Sequence, residues 1–250
     1  MTMTIYKYPA RSENPTFDWP VQPFLPGDWA EMPHDEASGY IEFVNRQPPR
    51  GIVIPEVAAR IRMMSPSFYP GTRLVEGAVQ WKANQIALFR MILTEHGTDF
   101  LSGVSPAVCG PVDLKPVLPD DEPQVISDWL RFFCSAVHAE FGPFVLIEQA
   151  TDLEFRSDVP EEVRAATVKA IRKLRRLPND QNAPGHRRSA IVRYGTSLFA
   201  AKFRVIAGGM VRMDDDHPIA ENVLVQRSTY KGVWQIVSTG PATAEPEVSI

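Results

Sequence analysis

The stretch Ser197-Leu-Phe-Ala-Ala-Lys-Phe-Arg-Val-Ile-Ala-Gly-Gly-Met-Val-Arg-Met213 decides the fold. Phe199, Ala201, Phe203 and Val205 alternate with Lys202 and Arg204, the period of a strand with one buried face. Gly208-Gly209 supplies the positive φ angles of a tight turn, and Val211 and Met213 begin the returning strand. Downstream, Asn222-Val-Leu-Val-Gln-Arg227 and Val233-Trp-Gln-Ile-Val237, joined by a turn over 228–232, predict another hairpin.

Upstream the texture is helical. Asp120-Asp-Glu-Pro123 places carboxylates and a proline at a helix start. The helix predicted there runs through Phe141, buries Val125, Ile126, Trp129, Phe132, Phe133, Ala136 and Val137, and stops at Gly142-Pro143. Phe144-Val-Leu-Ile147 fits an interior strand. Asp158 and Glu161 have capping-box spacing and open a helix over 160–177, with a stripe at Val163, Ala166, Ala170, Ile171, Leu174 and Leu177. Nearer the N-terminus, Gly39-Tyr-Ile-Glu-Phe-Val-Asn45 alternates like a strand, and 55–64 predicts a short helix with proline in its first turn. Over 73–96, Val75, Ala78, Val79, Lys82, Ile86, Phe89 and Leu93 follow helical spacing, with a strand pair as the alternative. Turn-forming pairs make 98–123 a loop.

Helices followed by an antiparallel meander predict an α+β fold, its helices packed against a C-terminal β-meander behind an extended Pro/aromatic-rich N-terminal arm. The expected organisation is an arm over 1–38, one α+β domain over 39–240 with a basic helix and loop at 160–188, and a flexible tail over 241–250. Val79–Ile92 also echoes Val192–Ile206 at five positions if Lys202 is skipped. A duplication conflicts with reading one copy as helix and the other as strand, so chance is the default.

Residues 1–70 carry eleven of the 23 prolines and ten of the 24 aromatics. Phe17-Asp-Trp-Pro-Val-Gln-Pro-Phe-Leu-Pro-Gly-Asp-Trp29 cannot nucleate a helix, because each proline fixes φ and pushes its predecessor out of the helical region. Its rings need cover, on the chain's own domain or on a neighbouring subunit, which makes Trp19, Phe24 and Trp29 candidate partner anchors.

Charge is segregated. Residues 164–193 hold nine bases and one acid, a net +8, while the remaining 17 bases and 29 acids give −12 and the whole chain −4. Lys169, Arg172, Lys173 and Arg176 share a helix face, and Arg187 and Arg188 extend the charge, so these six are candidate partner contacts. An acidic protein or a second copy of the chain is the expected partner. Nucleic acid ranks below it, because no recognised binding motif surrounds the helix and the rest of the chain is acidic.

Catalytic signals are sparse. Cys109 in a loop, His138 and Glu148 are the candidate catalytic groups, and Asp214, Asp216 and His217 the candidate metal ligands. Phosphate-binding loops, dinucleotide fingerprints and zinc signatures are absent from the sequence, so no cofactor is expected. Two cysteines, no apolar leader and no run of 18 apolar residues predict a cytoplasmic chain held away from membranes. The expected function is that of a non-enzymatic interaction subunit or adaptor of a larger assembly. The alternative is an enzyme or binder with an apolar pocket between the helices and a curved sheet, and a third is an accessory protein that binds nucleic acid.

Overall fold

The computed structural model describes residues 17–55, 59–105, 114–156, 158–174, 186–225 and 228–239. It is an α+β fold with mostly antiparallel sheets. One sheet has the order β1-β2-β3-β4-β13-β12, from Ala30–Glu31, Ala59–Met64, Arg73–Lys82, Gln85–Thr94, Trp234–Ser238 and Ser228–Lys231, with β5 (Gly97–Phe100) also on β4. The second sheet has the order β11-β10-β9-β8, from Val211–Ala220, Ser197–Val205, Arg187–Tyr194 and Val145–Ile147. A two-strand ribbon, β6 (His138–Ala139) and β7 (Gly142–Pro143), lies between β5 and β8 in sequence. Helices among the described residues include α1 (His34–Arg46), α2 (Pro123–Ala136) and α3 (Glu161–Leu174). No helix among the described residues is long and apolar enough to cross a membrane.

Four apolar layers organise these elements. Ala37, Ile41 and Val44 of α1 pack on Ile61, Val75, Val79, Phe89 and Met91 of the first sheet. The aromatic side of α2, with Trp129, Phe132 and Phe133, meets Leu74 and Ile92 on that sheet's other face. Leu130 and Cys134, on the opposite side of α2, meet Val192, Ala201 and Phe203 of the second sheet. Ile171 of α3 packs with Ile147, Ile191 and Leu198. A helix between two sheets must be apolar nearly all round, which is why eight residues of α2 are buried.

Several expectations give way. Residues 39–45 are helical, because the buried set Ala37, Ile41 and Val44 has helical spacing while Phe43, the residue that suggested alternation, is 62 % exposed. Asp35 and Glu36 suit that helix's first turn. Within 55–64, the described residues from Ala59 form strand β2, and 56–58 lie outside the described residues. The predicted helix over 73–96 is the β3–β4 hairpin, with Lys82 opposite Gln85. Both faces of these central strands are covered, so their apolar residues lose the clean period of two and run together, which lets a subset fall at helical spacing. Gly77 faces Phe89 there, and a Cβ at Gly77 would lie 2.0 Å from Phe89 Cζ, so the strand needs a residue without a side chain. Thr98 to Phe100 belong to a strand rather than a loop, and α2 ends at Ala136, five residues before Phe141. No strand spans 222–227 among its described residues. The final hairpin is β12–β13, and it joins the first sheet rather than the second. Residues 240–250 lie outside the described residues.

The echoing segments are both hairpins. In each half, a helix precedes four consecutive antiparallel strands, α1-β2-β3-β4-β5 and α2-β8-β9-β10-β11, with β6–β7 and α3 as additions in the second. Lys202, the residue skipped in the alignment, pairs in regular register with β9, and the register shift beside it leaves the extra residue, Asp214, on β11.

Candidate functional site

A row of charges crosses the first sheet. Arg62 on β2 pairs in register with Glu76 on β3, and Glu76 with Arg90 on β4. Cross-strand partners share a face, so the three side chains meet. Glu76 is fully buried. Its Oε2 accepts from Arg62 Nε at 2.8 Å and from a terminal Arg62 nitrogen, and its Oε1 accepts from Arg90 Nε at 2.9 Å. Two guanidinium groups on one carboxylate leave the triad with one excess positive charge.

Residues 17–31 roof the triad. The Trp19 ring lies 3.9 Å from the Arg62 guanidinium, Trp29 lies 5.6 Å from it, and Phe24 lies 4.6 Å from that of Arg90. Arg60 ties the same segment down through Glu31 at 2.6 and 2.9 Å and the Phe17 carbonyl at 3.0 Å. Trp19 also packs against Ala78, Ile86, Leu88 and Val237, and Phe24 and Trp29 against the aromatic layer of α2. All three candidate anchors are therefore engaged within the chain.

Beside the triad, a narrow crevice with space for about one water molecule, partly open to solvent, runs between β4, the end of α2 and the β12–β13 hairpin. Arg90, His138, Tyr230 and Gln235 are its polar residues, and Leu88, Phe89, Leu101, Ala136 and Val233 its apolar ones. The β6–β7 ribbon positions the aromatic pair. His138 donates its backbone N–H to the Gly103 carbonyl at 2.9 Å, and its ring lies 4.4 Å from that of Tyr230. Gly103 and Gly142 make the approach possible. A Cβ at Gly103 would lie 2.3 Å from His138 Nδ1, and one at Gly142 would lie 2.8 Å from Tyr230 Cε2.

Burial sets the protonation states. It pulls His138 down to about 4, helped by the nearby Arg90 charge, so the imidazole is neutral at pH 7. Burial likewise pushes the Tyr230 hydroxyl up to about 12, against the cations Arg90 and Arg193. Glu154 is raised by burial although it accepts from Gln22 N–H, and Arg193 is lowered by burial although Glu154 opposes it. Two buried polar atoms here lack a partner, Gln235 Oε1 and Arg193 Nε. An imidazole neutral down to about pH 4 is a weak base. The crevice lining includes no serine, cysteine or carboxylate.

The other catalytic candidates lie elsewhere. Glu148 follows β8 and is ion-paired with Arg131, which also holds Asp128. Cys109 lies outside the described residues, and Cys134 is buried in α2 with its thiol pushed up to about 12. The aspartate run lies on edge strand β11. Asp214 pairs with Arg204 and, at 3.4 Å, with Arg212, while Asp215 takes Lys202 at 3.1 Å and His217 at 3.5 Å. Asp216 shows no ion pair to a described residue, and no group of three or more His, Cys, Asp or Glu among the described residues is placed to hold a metal ion.

The basic segment divides. Arg193 turns inward beside Glu154, and Arg164 donates to the Val159 and Arg156 carbonyls at 3.0 Å each. Arg188 is 9 % exposed and clamps β9 to α2, donating to Ser127 Oγ at 3.3 Å and the Pro123 carbonyl at 3.1 Å. It belongs to the packing between these elements and is no surface contact. Lys169 and Arg187 are exposed and form no ion pair with any described residue. Arg172 and Lys173 continue α3 without described side chains, and Arg176 lies outside the described residues.

Sequence reasoning missed the triad. Its signal was the mirror placement of Glu76 and Arg90 about the turn at 83–84, legible only once the segment is read as a hairpin. Comparison of the chain with family models, with curated proteins and with solved structures finds no match.

Proposed function

We propose that this chain is a non-enzymatic subunit of a cytoplasmic assembly, and that it self-associates by setting the cationic side of α3 and the start of β9 against the acidic body of a second copy. The observation that carries this reading is the exposure of Lys169 and Arg187 with no counter-ion among the described residues. The net −12 of the chain outside 164–193 supplies the complementary charge. The engagement of Glu148, the candidate general base, by Arg131 supports this reading over a catalytic one. In this reading the aromatic arm stabilises the subunit, and the helices on the C-terminal meander serve as the scaffold that holds α3 outward. The same net charge disfavours nucleic acid, whose phosphates the body repels.

The double charge reversal Lys169→Glu with Arg187→Glu tests the proposal. Light scattering at low ionic strength should give a mass above 28.0 kDa for the wild type and the monomer mass for the variant. Equal masses for the two proteins would overturn it.

A further inference from the structure

The two helices at the ends of the layered fold carry opposite charge. Ile191 and Val192 are consecutive on β9 and so turn to opposite faces of the second sheet, Val192 to α2 and Ile191 to Ile171 of α3. Leu74 and Val75 divide the first sheet in the same way, Leu74 towards α2 and Val75 towards α1. The layers therefore run α1, first sheet, α2, second sheet, α3, and no described element covers the outer face of α1 or α3.

On α1, Asp35, Glu36, Glu42, Phe43 and Arg46 are exposed, Phe43 by 62 %. Asp35 and Glu36 form no ion pair with any described residue, while Glu42 meets Arg46 at 3.3 Å within the helix. On α3, Glu161, Glu162, Val163, Ala166 and Lys169 are exposed. The order of the charges matters as much as their sign. Helix α1 runs from Asp35 and Glu36 at its start to Arg46 at its end, whereas α3 runs from Glu161 and Glu162 to Lys169, Arg172 and Lys173. Laid antiparallel, helices of 13 and 14 residues match along their whole length. The acids of α1 then face the bases of α3, Arg46 faces Glu161 and Glu162, and Phe43 comes opposite Val163 and Ala166. A parallel arrangement would set acid on acid and base on base.

We propose that the acidic surface met by α3 is α1 of a second copy, the two helices antiparallel with Phe43 seated between Val163 and Ala166, so that the chain associates head to tail. This rests on the self-association proposed above and names the surface that receives it. A contact between opposite ends joins unlike patches, so every pair keeps a free α1 and a free α3 and does not close at a dimer. One helix pair is a small interface, so the association is weak and concentration-dependent.

Light scattering of the full chain over a concentration series at about 20 mM salt tests the docking, with Phe43→Glu beside the wild type and the double variant Lys169→Glu with Arg187→Glu. The wild-type mass should climb past twice the monomer value. Phe43→Glu adds an acid to α1, so attraction to a diffuse acidic body would hold or tighten with it. Docking at Phe43 should instead weaken by about tenfold or more. Mixed with the double variant, whose α1 is intact, Phe43→Glu should recover association through its own α3 and stop at a pair, which also shows that both variants fold. Undiminished association of Phe43→Glu, with the double variant monomeric, would overturn this docking and leave the charge reading standing. A wild-type mass that levels off at twice the monomer value would overturn it too, and a monomeric wild type would overturn both.

Discussion

Arg62 and Glu76 stand directly opposite each other on β2 and β3, and Trp19 stacks on the guanidinium at 3.9 Å while Arg90 takes the other carboxylate oxygen. The carboxylate is the only anion of the triad and is wholly buried. Glu76→Gln leaves two cations facing each other under the aromatic roof, and should cost about 3–5 kcal/mol in urea unfolding. Replacing the whole triad with Met, Leu and Met should recover most of that loss, because no buried charge is then unpaired.

Trp19 covers both Arg62 and an apolar cluster of β3, β4 and β13. It is half-buried, so Trp19→Ala should cost about 2 kcal/mol, less than the 3–5 kcal/mol typical of a fully buried ring. A thermal melt followed by circular dichroism reads the effect.

Gly77 stands opposite Phe89 across β3 and β4, so close that a Cβ at Gly77 would overlap the ring. Gly77→Ala forces the ring aside and should destabilise by about 1–3 kcal/mol. The double variant with Phe89→Leu should be more stable than the sum of the single effects, which a double-mutant cycle measures.

His138 contributes a pH dependence of definite sign. Its folded value of about 4 lies below the 6.5 of a free imidazole, so between those values the unfolded chain binds the extra proton. Stability should therefore fall as the pH drops from about 6.5 to 4, by about 1–2 kcal/mol after solvent screening of a partly exposed group, and stop falling on this account below 4. Glu154, raised by burial, acts in the opposite sense near the acid end of that window. The difference between wild type and His138→Gln in unfolding free energy across the pH series isolates the histidine.

Cys134 is 3 % exposed, with its thiol held at about 12. It should stay unmodified by an aromatic disulfide reagent at pH 8 in the native protein and react fully in denaturant, as peptide mass mapping would report.

The second half of the chain was more legible than the first, and the reason lies in how many faces each strand buries. Phe199 to Val205 sit where Lys202 is exposed and Phe203 buried, so alternation survives in the sequence. Arg73 to Thr94 are covered on one side by α1 and on the other by α2 and the Trp19 segment, so the apolar residues run together and imitate a helix. The site was less legible still. His138 could be named from the sequence, but its partners Tyr230, Arg90 and Gln235 come from three other strands whose pairing no local pattern announces. Arg188 and Arg193 read as surface charge, because net charge along a chain carries no information about which way a strand side chain turns.

Self-association through segregated charge is tested most directly by the mass of the wild-type protein across ionic strength. At about 20 mM salt the screening length is near 20 Å and attraction between unlike faces is strong, whereas at 1 M it is about 3 Å. Light scattering should show a mass above 28.0 kDa that falls to the monomer value as salt is added. A monomer at every salt concentration, or an oligomer indifferent to salt, would contradict the proposal.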